Sequence, residues 1–144
     1  MIIKNGYILQ RGIVKRDILI EGNTIAHIDR DLKGDEVIDA SGMLVLPDFV
    51  NTHTHLAMTL FRGYADDMLL EGYCADLILI DLKHHSMVPP TDLVSNSVYS
   101  MNSSAVDTAI IDGTIIMQGR KILAPDEEDI LEKAQAHAHD LLNR

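Results

Sequence analysis

The sequence predicts a mainly β fold, in which both halves of the chain build one composite β-sandwich. Short runs rich in β-branched residues, separated by Gly, Asn and Asp, fill the chain before Pro47 and recur between residues 75 and 123. A single helical pattern follows Pro125. We therefore expect one domain over residues 1–144. Its parts are N-terminal strands (1–47), a segment of different character (48–70), returning strands (71–124) and a C-terminal helix (125–144).

The N-terminal strands are predicted from turn signals and alternation. Asn5-Gly6 and Gly22-Asn23 are both typical of tight hairpin turns. Ile18 and Ile20 alternate with Leu19 and Glu21, as expected for a strand with one buried face. These features together predict a meander of antiparallel strands before Pro47.

The returning strands carry the same signals. The apolar run over residues 77–80 predicts a strand that is buried on both faces. Asp112-Gly113, between Ile111 and Thr114, predicts another hairpin. In the intervening segment of different character, residues 49–53 are typical of a strand and residues 56–62 of a short helix or turn.

The C-terminal segment is predicted to be one amphipathic helix. Asp126 is a natural N-cap, and acidic residues fill the first turn, where they stabilise the helix dipole. The apolar stripe consists of Ile130, Leu131, Ala134, Ala138, Leu141 and Leu142.

Composition restricts the classes of partner. The formal net charge of −10, from 22 acidic and 12 basic residues, would repel a nucleic-acid backbone or an anionic membrane. No apolar run approaches the ~20 residues of a membrane helix, and the N-terminus lacks a signal-peptide pattern, so we expect a cytoplasmic protein. The single Cys74 cannot form an intrachain disulfide, and we expect it to be a small, semi-buried side chain.

His53 and His55, in the stretch VNTHTHL, are the candidate metal ligands. Side chains two residues apart share a face on a strand but lie about 200° apart around a helix. Imidazoles placed side by side at a strand end suit Zn, Ni or Fe. The same spacing also occurs in structural or exposed histidines, so these two residues define a candidate only.

The other histidines are weaker candidates. His137 and His139 have the same spacing but lie on the predicted helix, where they cannot hold one ion jointly. His84 and His85 precede Pro89-Pro90, and we expect them to lie in a solvated turn.

Three stretches of sequence resemble one known family. SGMLVLPDFVNTHTHLAMTLFRGYADDM resembles the opening of the catalytic barrel in the amidohydrolase superfamily, in its branch of chlorohydrolases and 5-methylthioadenosine/S-adenosylhomocysteine deaminases. GYCADLILIDL resembles that family's returning sandwich strand, and VDTAIIDGTIIMQGRKILAPDEEDILEKAQ resembles the end of its sandwich and its C-terminal helix. The sequence departs from the family at Asp48, where glycine is usual, and at Cys74, where a basic residue is common.

The resemblance implies an incomplete enzyme. His53 and His55 match the first two metal ligands of a family that hydrolyses non-peptide carbon–nitrogen bonds, including those of adenosine-type nucleosides. Two further histidines, an aspartate and a proton-shuttling glutamate would lie on later strands of a (β/α)8 barrel of ~250 residues, for which this chain has no room after its first barrel strand. The catalytic set is therefore expected to be incomplete, and binding of Zn, Fe or Ni weak or absent. Arg62, Asp66 and Asp67 lie in what resembles the first barrel loop, and we expect them to be solvated charges.

Three functional hypotheses follow. The first is a barrel-less scaffold that is inactive alone. The second is a genuine metal-dependent hydrolase, completed by a second chain or across a homo-oligomer that uses His53, His55, Asp66 and Asp67. The third is a non-catalytic assembly module. Because the apolar segment 49–68 has lost the barrel strands it would pack against, we expect a homo-oligomer through this segment. A small nucleoside would be a substrate only if a full site is assembled.

Overall fold

The computed structural model describes residues 1–10, 12–48, 69–123 and 132–136. Within these residues, nine strands form one mixed sheet in the order β3-β2-β1-β5-β6-β7-β8-β9, with β4 paired to β1. The strands are β1 (Ile2–Leu9), β2 (Ile13–Glu21), β3 (Thr24–Asp29), β4 (Val37–Asp39), β5 (Met43–Pro47), β6 (Leu77–Asp81), β7 (Val106–Ile111), β8 (Thr114–Gln118) and β9 (Lys121–Ile122). The predicted mainly β fold, with strands from both chain halves, is confirmed.

The two chain halves join through β5. This strand lies parallel to β1, with Tyr7 opposite Leu44, and antiparallel to β6, with Pro47 opposite Leu77. Its pairing with β6 continues without a break to Met43 opposite Asp81. Hydrogen bonding is therefore continuous from the N-terminal meander into the returning strands.

The sheet curls so that its two halves face each other. Asn23, at the tip of the β2–β3 hairpin, donates from Nδ2 to Oδ1 of Asp112, at the tip of the β7–β8 hairpin, over 2.8 Å. Four strands lie between β3 and β7 in the hydrogen-bonded order, so only a strongly curved sheet can bring these tips together. The larger apolar cluster fills the enclosed space and includes Ile3, Ile18, Ile20, Ile25, Leu77, Leu79 and Ile110. A composite sandwich results from one folded sheet.

Strand β6 is buried on both faces, as predicted. Leu77 and Leu79 join the larger cluster, whereas Ile78 and Ile80 join a second cluster on the opposite face. Leu44, Met87 and Ala105 complete the buried part of this second cluster. The central strand thus contributes to two apolar cores at once, which explains its continuous apolar run.

The second cluster is covered by residues 82–105, which we call the helical excursion. It contains a 3₁₀ turn (His85–Met87), a short α-helix α1 (Leu93–Ser95), a π-helical turn (Asn96–Ser100) and another 3₁₀ turn (Ser103–Ala105). Asp92 begins α1 as its N-cap, because its Oδ1 accepts hydrogen bonds from the N–H groups of Val94 and Ser95. The excursion therefore packs Met87 and Ala105 against β6.

One predicted hairpin is wrong. Strand β1 continues through Asn5-Gly6, and its pairing with β2 shifts register between Ile3 and Gly6. Asn5 has φ of 63°, so this dipeptide forms a β-bulge instead of a turn. The hairpins predicted at Gly22-Asn23 and Asp112-Gly113 are confirmed.

Cys74 is exposed, so its predicted semi-burial is also wrong. Its backbone forms an isolated antiparallel bridge with Thr24, which places it at the edge of the sheet instead of in the core. At the C-terminal end, residues 132–136 are helical, and the other residues of the predicted helix lie outside the described residues. Within the part of the chain that the structure describes, no helix is long and apolar enough to cross a membrane.

Candidate functional site

The predicted metal ligands His53 and His55 lie outside the described residues, as do Arg62, Asp66 and Asp67. His137 and His139 also lie outside them. The described residues nevertheless show where the chain leaves the sheet after β5 and where it returns before β6.

The residues that flank segment 49–68 are both held by the sandwich. Pro47 is the last residue of β5 and lies opposite Leu77, the first residue of β6. Just beyond this pair, the N–H of Asp48 donates to the carbonyl of Asp76 over 3.0 Å. Leu69, the first described residue after the segment, is 3% exposed and belongs to the larger apolar cluster. The residues on both sides of the segment are therefore anchored in the sandwich, Asp48 beside the start of β6 and Leu69 in the larger apolar cluster.

The chain after Leu69 is held by backbone hydrogen bonds to β3. The N–H of Gly72 donates to the carbonyl of Ile25, and the N–H of Ile25 donates to the carbonyl of Tyr73. Gly72 has φ of 85°, a conformation that favours glycine. Two backbone hydrogen bonds with Ile25 and the left-handed conformation of Gly72 therefore fix the path of the chain as it returns to the sheet.

Asp76 links this end of the sheet to the hairpin tips. Its Oδ1 accepts a hydrogen bond of 2.7 Å from the N–H of Asp112, while its carbonyl accepts from Asp48. Ala75, next to it, is fully buried and donates its N–H to the carbonyl of Asn23. The Ala-Asp pair of the predicted return motif therefore positions Asp48 and the β7–β8 turn together.

An apolar cavity of about 460 Å³ lies beside Asp48. Leu44, Leu46 and Pro47 of β5 form one wall, and Val94 and Val98 of the helical excursion form another. The volume falls within the range of small-molecule sites, which runs from ~300 to ~1,000 Å³. Since both valines are exposed, this cavity leaves apolar surface where segment 49–68 begins.

His84 lies at the opposite end of β6, in a turn as expected, but it is less solvated than expected. It is only partly exposed, and its Nδ1 accepts from the N–H of Ser86 over 3.3 Å and contacts the Ser86 hydroxyl at 2.9 Å. Its Nε2 lies 3.2 Å from the hydroxyl of Ser104. His84 therefore acts as the N-cap of the His85–Met87 turn and ties both ends of the helical excursion together. His85 is exposed, as predicted.

Burial and neighbouring charges together favour the neutral form of His84. Burial lowers the pKa of His84, and the neighbouring His85 and Arg120 lower it further, while Asp81 opposes them. Burial also opposes ionisation of Asp81, but hydrogen bonds from the Lys83 N–H and the Arg120 guanidinium outweigh it and lower the pKa of that carboxyl. Protonation of His84 would turn Nδ1 into a donor and remove the acceptor that caps the turn.

The free energy of unfolding is expected to fall as pH decreases from about 7.5 through 6.5 and on to the lowered pKa of His84 in the folded state. The unfolded state gains a proton at His84 near its ordinary pKa of 6.5, whereas the folded state, with a lowered pKa, does not. His84→Asn keeps an N-cap acceptor and should remove this contribution to the slope. Urea unfolding at several pH values measures it. An unchanged slope in His84→Asn would refute a cap that requires the neutral imidazole.

This histidine cap was not found from the sequence because its partners are distant in the chain. Ser104 lies 20 residues from His84, and Asn102 donates its N–H to the Ser86 hydroxyl across 16 residues. The local signal was a His-x-Ser sequence directly after a buried strand, which permits a side-chain cap.

The described residues offer no further metal site. Among residues 1–10, 12–48, 69–123 and 132–136, no three His, Cys, Asp or Glu side chains lie together as ligands would. Two imidazoles fill half of a tetrahedral zinc shell.

Comparison with known proteins identifies relatives with one kind of activity. 5'-Deoxyadenosine deaminase from Methanothrix thermoacetophila is 55% identical over 74 residues, which cover 49% of this chain and 18% of the relative. 5-Methylthioadenosine/S-adenosylhomocysteine deaminase 1 from Archaeoglobus fulgidus is 53% identical over 75 residues, covering 51% and 18%. 5'-Deoxyadenosine deaminase from Methanosarcina mazei is 40% identical over 121 residues, covering 79% and 26%. These relatives confirm the predicted resemblance.

The chain spans only 18% to 26% of the length of these relatives. No protein-family model matches the chain. Among solved structures, an adenosine deaminase from Xanthomonas campestris with bound zinc is similar with a TM-score of 0.51 and 19% identity, over 54% of this chain and 18% of that one. This likeness supports the sandwich fold.

Proposed function

We propose that this chain, which is related to the amidohydrolase-type deaminases, is the β-sandwich scaffold of such an enzyme without its catalytic barrel and does not deaminate nucleosides by itself. The carrying observation is the short connection between Asp48 and Leu69. Only residues 49–68 join them, whereas a (β/α)8 barrel takes ~250 residues. Because Asp48 and Leu69 are both held by the sandwich itself, a short segment could replace a barrel between them without breaking the sandwich.

The chemistry of the relatives explains why a metal site with missing ligands would be catalytically inactive. Hydrolytic deamination of an adenosine-type compound replaces its amino group with the hydroxyl group of a water molecule, and the amino group leaves as ammonia. A bound divalent metal would supply a water of lowered pKa as the nucleophile. His53 and His55 would hold that metal, but the remaining ligands and the general acid/base have no counterparts in the matched motif. Catalytic groups that act as a unit lose nearly all activity when some are missing.

His84 is a poor replacement for the missing ligands. Asp81 lies at the far end of β6 from Leu77, and His84 follows it at that far end. The four residue-to-residue steps from Leu77 to Asp81 span about 13 Å. His84 is moreover engaged with Ser86 and Ser104. Its position supports a scaffold instead of a relocated metal site.

The purified chain is expected to release no ammonia above the blank from 5'-deoxyadenosine, 5-methylthioadenosine or S-adenosylhomocysteine, with zinc, iron, nickel or manganese supplied in turn. The deaminase from Archaeoglobus fulgidus is the positive control for the assay. Turnover that follows the protein through purification and disappears in His55→Ala would refute the proposal. A folded, silent chain would support it.

The second hypothesis, an enzyme completed by assembly, has one supporting observation. The apolar cavity beside Asp48 exposes Val94 and Val98 where the apolar segment 49–68 begins, which favours self-association or capture of another chain. In the same assay, activity per chain that rises with protein concentration would favour this hypothesis, because dilution separates the copies that share a site. Self-association without activity would favour a non-catalytic assembly module.

A further inference from the structure

A second cavity, of about 350 Å³, is bordered by a cluster of basic side chains that we call the cationic pocket. Lys4, Lys15, Arg16 and Arg30 line it, together with Asn5, Asp17 and Asp31. The whole chain has 12 basic residues and a formal net charge of −10. A third of its cations therefore surround one cavity in an otherwise acidic molecule.

Asp17 builds the wall of this pocket instead of neutralising it. Its side chain is buried, and its Oδ1 accepts from the N–H of Asn5 over 2.9 Å while its Oδ2 accepts from the N–H of Leu32 over 3.2 Å. Asn5 and Asp31 both have left-handed backbone conformations, with φ of 63° and 56°. The carboxylate thus holds the β1 bulge and the turn after β3 in place, and both border the cavity.

Among the described residues, the basic side chains of the pocket form no close ion pair, although the charge of Lys15 interacts with that of Asp39. Within the described residues, Lys4, Lys15, Arg16 and Arg30 form no ion pair, and the Arg16 guanidinium donates to the carbonyl of Lys15. The nearby Asp39 accepts from Asn5 and twice from Ser41, and those bonds, more than Lys15, lower the pKa of its carboxyl. Ammonium and guanidinium groups without a close acid partner keep N–H donors available to an anion.

We propose that the cationic pocket binds a dianionic phosphate, either free phosphate or the phosphate group of a small ester. Among the lining residues, four cations against Asp17 and Asp31 leave about two positive charges, or about one when the neighbouring Asp39 is counted, which suits the −1.5 to −2 of a phosphate group at pH 7. The two arginines supply the planar donors that suit phosphate oxygens. This binding does not depend on the proposed scaffold function, because it involves neither segment 49–68 nor deamination.

Titration of the ¹⁵N-labelled full chain with inorganic phosphate tests the site. At constant ionic strength, held with sodium chloride, we expect saturable shifts of amide resonances confined to residues 4–6, 15–17 and 30–32. A parallel titration with glycerol phosphate separates the two sources, since tighter binding of the ester identifies an ester as the ligand and tighter binding of phosphate identifies the free ion. Shifts that grow linearly, or that spread over the whole surface, would overturn the proposal.

The double variant Lys15→Gln/Arg16→Gln is expected to bind phosphate about tenfold more weakly or worse, since each removed charge-assisted bond contributes strongly. Lys83→Gln/Lys121→Gln removes the same net charge outside the pocket and should bind as the natural chain does. The dispersion of amide resonances without phosphate verifies that both variants fold. Equal weakening in both would reveal only long-range attraction and would overturn the site.

Discussion

Insertion of a barrel between Met68 and Leu69 is expected to convert this chain into an active deaminase. The insert would be the internal segment of 5'-deoxyadenosine deaminase from Methanothrix thermoacetophila that has no counterpart here. Leu69 must stay on the sandwich side of the junction, because it is buried in the larger apolar cluster. The hydrogen bond from Asp48 to Asp76 would remain on the other side, so the first barrel strand would keep its natural anchor.

The expected gain is very large, because a complete metal site with its acid/base group accelerates such reactions by ~10⁶-fold or more over the uncatalysed rate. Ammonia release from 5'-deoxyadenosine measures kcat/KM of the chimera. His55→Ala in the chimera should abolish the activity if this histidine is a ligand. As a second control, the same segment is inserted at the Gly119-Arg120 turn. There it would not follow the predicted strand that carries His53 and His55, so this chimera should remain inactive. A folded, metal-loaded and inactive first chimera would contradict the scaffold proposal.

The sequence was sufficient to predict those parts of the fold that depend on residues close together in the chain. The continuous apolar run of β6 predicted burial on both faces, and two apolar clusters do meet on it. Gly22-Asn23 and Asp112-Gly113 predicted hairpins, because a tight turn between two strands requires a left-handed residue at these positions.

Predictions from the sequence failed where one local sequence is compatible with more than one structure. Asn5-Gly6 supplies a left-handed residue equally well to a hairpin and to a bulge, and only its pairing with β2 and the Asp17 carboxylate decides between them. The His84 cap depends on Ser104. The cationic pocket collects side chains from three separate stretches. None of these contacts has a signature in the local pattern.

Gly113→Ala is expected to lower the free energy of unfolding by about 3 kcal/mol or more. Gly113 has φ of 71°, where any residue with a Cβ loses about 1–2 kcal/mol. A Cβ would in addition collide with the backbone of the facing hairpin, at the Gly22 carbonyl oxygen and 2.8 Å from the Asn23 Cα. Backbone cannot move aside as a flexible side chain does, so the hairpin tips that close the sandwich would separate.

Gly119→Ala provides the matched control for this contact. Gly119 also lies in a tight turn of the returning strands, with φ of 57°, but a Cβ there would meet no atom within 4 Å. Its loss should therefore be limited to the backbone term of about 1–2 kcal/mol. Urea unfolding followed by circular dichroism gives both values. A loss for Gly113→Ala well beyond that for Gly119→Ala would locate the closure of the composite sandwich at its two hairpin tips. Equal losses would mean that the apolar cluster alone holds the halves together, and that the tips only touch.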